Sequence, residues 1–538
     1  MYECPNCSAN LKYNISKQAL FCEHCGTTMD PYSFHKESDA EENTSFGVTI
    51  FSCPQCGGEL MTDDTTISTF CSFCGSSTIL DSRVSMEKRP DYIIPFTMDE
   101  KDCKIAYSKM MRRAIFAPKE LSDPEHIKKF RGIYMPYWVY SLRRVGSTFF
   151  HATRSTREGD LIHTEHYNLE CDVNMEYNGI TFDASSSFYD SLSNAIAPFQ
   201  TKTAKPFHPA FLSGFYADTS DVDGSLYMND ACDIAWEDAI QEIHKNSIFS
   251  SYEEPSDTDL KKSMPFSEGS VHLDLFPVWF LSYQKNDRVT YAVVNGQNGQ
   301  VAADLPVDKK KYILGSGLLT IPIFILLNIF FTIKPTTLLW LSILLAFICI
   351  IMANRHLANI MTRETFSDDK GIMGERCEIS SPRKRLSRTT RTYILKPVLS
   401  VLLYVSIPLL MLIPMLVVSD SPIENLVTVL PQFGRMCLLP LSVAIIVSLI
   451  NAKKMVRKET RFIPIQKKLP YMKFPLISIL LAVVILIWNP VHNLFYYIGV
   501  IVCMITLALT FMDLIELHNQ LTTRRLPQLN KRGGDEYV

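Results

Sequence analysis

The sequence predicts a multidomain protein: two small cysteine-built modules, an α+β domain with a mostly antiparallel sheet, and a region of six transmembrane helices. Three observations predict it. Eight cysteines near the start fall into four CxxC pairs. Residues up to about 308 mix strand-like and helical periodicities. The remainder alternates long apolar runs with basic loops. The net charge of −3 averages over these unlike parts, and 538 residues exceed one ordinary domain.

The cysteines come as a duplicate. Cys4, Cys7, Cys22 and Cys25 form one set, and Cys53, Cys56, Cys71 and Cys74 repeat it 49 positions later. Each set reads C-x2-C-x14-C-x2-C. Two residues between thiolates let a tight knuckle aim both sulfurs at one ion, and two knuckles close a tetrahedral site. The expectation is two Cys4 zinc ribbons, at 1–30 and 50–82, joined by an acidic linker at 31–49 and holding two structural Zn2+ ions. A closed Cys4 site leaves no position for a reactive water, so the metal serves folding. The rival reading, four disulfides, needs an oxidising compartment, and Met1-Tyr-Glu-Cys-Pro carries no apolar secretion signal. Seven further cysteines (Cys103, Cys171, Cys232, Cys349, Cys377, Cys437 and Cys503) show no pair spacing and read as packing residues.

The α+β domain is expected over 90–308. It opens on a short strand, Tyr92–Phe96, followed by a helix over 99–115 with Asp99 at its start. The aromatic run Gly132–Tyr140 reads as a buried strand. Val173–Tyr177 and Ile180–Ala184 flank Asn178-Gly179, a hairpin signal. Residues 229–246 are helical. Phe276–Tyr283 echoes the Pro-x-Trp of Met135–Ser141, and Gly296–Gly299 closes a last hairpin.

Six apolar stretches, near 312–333, 336–353, 397–418, 436–451, 474–489 and 491–512, are read as membrane helices. The first two form a hairpin at 312–353, a basic loop fills 354–396, the other four occupy 397–513, and 514–538 is a tail. The loop 354–396 holds ten Lys or Arg and the loop 452–473 holds eight, while the opposite loops are poor in positive charge. The positive-inside rule then places both termini in the cytoplasm of a multi-pass cell-membrane protein. Basic loops, Ser380–Arg391 above all, are candidates for anionic lipid contact.

Several features tempt a functional reading. His163 and His166 would face opposite sides of a strand. Asp218, Asp221 and Asp223 sit in a Gly-containing loop but lack the later glutamate of an EF-hand. Trp138 and Trp279 suit a core better than a pocket. No phosphate-binding loop, G-x-S-x-G or H-E-x-x-H occurs, and no nucleophile meets a base and an orienter, so no enzyme is expected. Residues 50–82 hold acids and no Lys or Arg, which argues against nucleic acid. The spans lack charged residues in their cores, with Asn328 the lone amide well inside one. A scaffold or adaptor is therefore expected. The alternatives are a transport or lipid-handling protein regulated by its ribbons, and a membrane-tethered nucleic-acid sensor.

The chain resembles the YdjG-like family of bacterial zinc-ribbon membrane proteins. The ribbon cysteines, Ile94-Pro95-Phe96, Phe116–Leu121, Gly132–Trp138, Pro277-Val278-Trp279, Val294–Val301 and Asp304-Leu305-Pro306 carry the resemblance. It implies an envelope-stress role beside an SPFH-type, flotillin-like partner and, through it, a phage-shock-type protein. No catalytic residue carries over.

Overall fold

The computed structural model describes residues 2–33, 45–62, 71–76, 81–245, 249–266, 268–330, 334–364, 368–373, 473–527 and 529. The first ribbon is a three-stranded antiparallel sheet of β1 (Leu11–Asn14), β2 (Ala19–Cys22) and β3 (Thr28–Met29). The second contributes β4 (Ser45–Ser52), β5 (Glu59–Thr62) and β6 (Asp81–Lys88), reaching beyond 50–82 at both ends. After these come β7 (Tyr92–Ile93), β8 (Arg131–Glu158), β9 (Leu161–Asp183), β10 (Lys205–Pro206), β11 (Tyr216–Asp218), β12 (Glu268–Lys285), β13 (Arg288–Asn295), β14 (Val301–Ala303) and the late β15 (Arg524–Arg525).

β4 to β15 form one sheet, with the order β10-β7-β12-β8-β11-β5-β4-β6 as its main path. Only the β11–β8 and β12–β7 pairings are parallel. β8 explains the aromatic run. Ile133, Met135, Tyr137 and Val139 face one buried layer and Tyr134, Trp138 and Tyr140 the other, so both faces are apolar. The two Pro-x-Trp segments lie on neighbouring strands, with Met135 opposite Phe276.

Helix α1 (Glu100–Arg113) begins where Asp99 accepts a hydrogen bond from the Asp102 amide at 2.8 Å. Its buried Cys103, Tyr107 and Met111 recur every four residues. It is followed by α2 (Pro124–Ile127), α3 (Asp190–Ile196), α4 (Met228–Lys245) and α5 (Asp257–Ser263).

Asn178-Gly179 is not a hairpin turn. β9 runs through it, and the β8–β9 register shifts there, with Ser141 opposite Asn178 and Tyr140 opposite Ile180. Gly179, at φ +89°, is the extra residue of a bulge. The turn lies at Gly159-Asp160, a two-residue loop with Gly159 at φ +66°. The expected strand over Tyr92–Phe96 shortens to β7.

The expected six-helix transmembrane region is corrected. The apolar helices are α6 (Lys309–Phe330), α7 (Pro335–Glu364), α9 (Lys473–Trp488) and α10 (Asn493–Leu521), with the short α8 (Lys370–Met373) after α7. Among the described residues only α7 and α10 are long and apolar enough to cross a membrane. α9 covers 16 described residues, from Lys473, where the described residues resume, to Trp488 before Asn489-Pro490. At about 1.5 Å each these 16 reach less than a hydrocarbon core of roughly 30 Å. α6 carries Lys309, Lys310 and Lys311 in its first turn and adds nothing to the shared core of α7, α9 and α10. The stretches expected at 397–418 and 436–451 lie outside the described residues, as do Ser380–Arg391 and most of the linker 31–49.

The helices join the sheet through a network of charged groups. Arg288 of β13 donates to Glu364 at the end of α7 (2.7 Å) and to the Gln520 and Thr523 carbonyls at the end of α10 (2.9 and 2.6 Å). Arg525 pairs with Glu364 at 2.8 Å, and Arg363 with Asp304 at 3.5 Å. The Asn519 side chain both accepts from the Val307 amide and donates to its carbonyl. β15, just past α10, adds a short strand to the edge of β13.

Candidate metal centres

Each knuckle is built by its own short sequence. In the second ribbon the Gly57 amide donates to the Cys53 carbonyl (2.7 Å) and the Gly75 amide to the Cys71 carbonyl (2.9 Å). Both glycines sit at positive φ, +72° and +74°, where a side chain would be strained. In the first ribbon Gly26 (φ +77°) repeats the pattern, but Ser8 takes the fourth position at φ +57°.

These turns converge the sulfurs. All four Sγ atoms of each set lie within 4.8 Å of one another. Cys4 and Cys25 are 3.4 Å apart, as are Cys7 and Cys22; Cys53 to Cys74 is 3.8 Å and Cys56 to Cys71 is 3.6 Å. Among the described residues, no other group of three or more His, Cys, Asp or Glu comes together in this way. Two four-sulfur groups of this kind are compatible with two zinc sites, whose donor set is soft thiolate in tetrahedral array.

Their electrostatics fit a cation. In the second set, hydrogen bonds from Cys56, Cys71 and Cys74 hold the Cys53 thiol far below its ordinary range. Cys71 is pushed the other way by its hydrogen bonds with Cys53 and Cys56 and by burial. Four thiols this close cannot all ionise without a positive charge among them, and a divalent metal would supply it. In the first set, the Thr27 hydroxyl and amide lower Cys25 to about 6, with the hydroxyl 3.0 Å from the sulfur.

The surroundings of the two sets differ. All four cysteines of the second are buried. They share a core with Phe73, Ile133, Met135 and Phe280, and the Tyr291 hydroxyl donates to the Phe73 carbonyl at 2.8 Å. A Cβ on Gly58 would stand 2.5 Å from the Phe73 ring, so only glycine fits. In the first set Cys25 is exposed and Cys7 half-buried. Cys4 and Cys22 are buried, and with Leu11, Tyr13 and Leu20 they join a core that includes Phe96, Tyr134 and Phe211. The Tyr13 amide donates to Ser213 (3.0 Å), the Ser213 hydroxyl to Leu11 (2.6 Å), and Gln18 reaches the Phe96 carbonyl (2.7 Å).

The other candidates disperse. His163 sits near Glu158, whereas His166 faces His151 at 3.2 Å across the strand pair. Asp218 is buried and accepts from the Ser185 hydroxyl (2.6 Å) and from Ser187; Asp221 binds Ser186 instead, and Asp223 caps Ser225. Trp138 and Trp279 are core residues whose indoles donate to the Val222 and Met98 carbonyls. Sequence reasoning missed the Arg288–Glu364–Arg525 network, because each partner comes from a different stretch of chain. It also missed the acids Asp183, Asp190 and Asp369 gathered where α8 meets the domain. Burial, then Asp190 and Asp369, push Asp183 well above the carboxylate range, while the Asp190 carboxylate accepts from the Lys370 amide.

The uncharacterized protein YdjG of Bacillus subtilis (strain 168) is 32% identical over 315 residues, covering 58% of this chain and 91% of the relative. This chain belongs to the YdjG-like family. No protein-family model matches the chain, and no solved structure does. Membership adds no activity, since the relative is itself uncharacterized.

Proposed function

We propose that this YdjG-like protein is a non-enzymatic, membrane-held scaffold whose two Cys4 centres carry structural zinc. The observation that carries this reading is the junction at Arg288. The ends of both candidate spans, α7 and α10, are fastened to one edge of the sheet by Glu364, Gln520, Thr523 and Arg525. A sheet anchored at two helix ends presents its remaining surface in a fixed attitude to the bilayer, which suits docking. Closed four-sulfur sites add folding energy and offer no open coordination position.

The sheet faces the cytoplasm in this reading. Lys309, Lys310, Lys311, Arg363, Arg524 and Arg525 all lie at the sheet end of the helices, in accord with the positive-inside rule. Thiolates also stay reduced there and available for metal. The partner is a membrane protein of SPFH type and the setting is envelope stress, as the family resemblance implies.

The test is an affinity pull-down from gently solubilised, mildly crosslinked membranes, with wild type beside the Cys4→Ser/Cys53→Ser double variant. Wild type should retain an SPFH-type membrane protein, and the variant should lose it. Wild type that retains no membrane protein contradicts the scaffold.

A further inference from the structure

The β8–β9 hairpin is a projecting arm. β8 starts at the helix end of the sheet: Arg131 pairs with Phe280 of β12, which runs on to the β12–β13 turn, and Arg288 just after that turn pairs with Arg525 beside α10. From there β8 runs away from the helices. β12 leaves it at Arg143, and from Arg144 to Glu158 its one strand partner among the described residues is β9, apart from an isolated bridge of Thr153 to Glu253, a projection of roughly 50 Å at about 3.3 Å per residue.

The two faces of this arm differ. One packs Phe150 and Ala152 against Ile240, Phe249, Leu260 and Met264 of the α4–α5 layer. The other is bare. Val145 is 50% exposed and Phe149 60%, and across from them on β9 stand the exposed Asn174, Asp172 and Glu170. β9 carries Glu165, Glu170, Asp172, Glu176 and Asp183 over its 23 residues and neither Lys nor Arg; Glu165 and Glu176 stand opposite Arg154 and Arg143 of β8, whereas Glu170 and Asp172 stand opposite Phe149 and Ser147. Its outer edge pairs with no strand among the described residues.

We infer that the outer edge of β9 is a docking site for an extended, basic segment of a partner protein, added as a further strand. A free edge supplies main-chain donors and acceptors for such a strand. Alternate basic side chains of the partner meet Glu170 and Asp172, while Phe149 and Val145 offer apolar contact. The same charges choose among occupants. A second β9 would set acid against acid, and phosphate-rich surfaces, whether nucleic acid or anionic lipid, are repelled. This deepens the scaffold reading and rests on it for the partner being a protein.

The test uses the full chain in phosphatidylcholine nanodiscs, with empty nanodiscs as blank. A labelled peptide of alternating lysine and valine is titrated beside one of alternating glutamate and valine. The lysine peptide should bind, weaken as salt rises, and slow amide exchange within β9. The E170K/D172K variant changes exposed positions opposite Phe149 and Ser147 only, so it should keep the wild-type melting temperature while losing about tenfold or more in affinity. No binding by wild type, equal binding by the reversed variant, equal binding of the glutamate peptide, or protection outside β9 would each overturn the proposal. Failure here with the wild-type pull-down intact rejects the arm and leaves the scaffold. An empty pull-down with peptide binding intact does the reverse.

Discussion

The two ribbons share their cysteine spacing and much of their knuckle sequence, yet they occupy different levels of the structure. The second is a continuation of the main sheet. β5 pairs with β11, which pairs with β8, so Leu60 and Met61 are two strands from the buried aromatic run. Its cysteines are core residues alongside Phe73 and Phe280. The first keeps its own sheet and also buries Cys4 and Cys22 in a core with Phe96, Tyr134 and Phe211, but it leaves Cys7 half-buried and Cys25 in solvent. Both copies of the cysteine motif thus reach a core, but the second continues the main sheet while the first keeps its own sheet and leaves one thiol in solvent. The spacing sets where the sulfurs meet; the strands that follow decide how much of the protein depends on them.

The largest test of that difference is ligand removal. Cys71→Ser should cost more than about 4 kcal/mol, because it removes a metal and opens a buried core together. It should expose β8 and β12 to proteolysis. Cys7→Ser should destabilise the first ribbon alone and leave those strands protected. Equal damage from both variants would erase the distinction.

Metal release is the next largest effect. Thiol reagents and chelators should take one ion roughly tenfold faster or more, since Cys25 is exposed and its sulfur is held toward thiolate by Thr27, while the second set offers no exposed thiol. A zinc indicator dye should record two phases of one equivalent each, and Cys7→Ser should abolish the fast one.

The seam between the second ribbon and the sheet has a pH signature. Asp218 lies on β11 opposite Leu60, and burial, opposed by the Ser185 and Ser187 hydroxyls, raises it to about 7. A carboxyl raised on folding binds more protons in the native state than in the unfolded one. Its contribution is therefore full below the unfolded value of about 4 and is lost as pH rises toward 7. Asp218→Asn should flatten the fall of melting temperature across that window. An unchanged slope would remove Asp218 from the seam's energetics.

The smallest effect concerns the knuckles. Ser8 holds the left-handed conformation that Gly57 holds in the second ribbon. Ser8→Gly should stabilise the first ribbon by about 0.5 kcal/mol, the left-handed cost relieved less the added chain entropy. Chemical denaturation followed by metal release would detect it.

The cysteine clusters were legible because CxxC spacing is local and each knuckle closes within five residues. Helix α1 was legible for the same reason: Asp99 and the Cys103–Tyr107–Met111 period lie in one short window. Asn178-Gly179 misled, because a left-handed glycine serves a bulge as well as a turn, and only the partner strand tells them apart. The union of β5 with β11 joins residues more than 150 positions apart, and no periodicity carries such pairing. The six-span expectation counted apolar runs, whereas a span also needs helical length, which among the described residues only α7 and α10 meet. The arm was hidden because β9 alternates exposed polar with half-buried apolar residues, a weak pattern until β8 lies beside it.

Zinc content and coordination, followed through partial chelation of the full chain, test the central claim most directly. The account predicts two zinc ions per chain, each bound by four sulfurs at about 2.3 Å. After mild chelation one ion should remain, with β8 and β12 still protected from amide exchange. Fewer than two ions, disulfides in place of metal, or loss of both ions together with the sheet would contradict it.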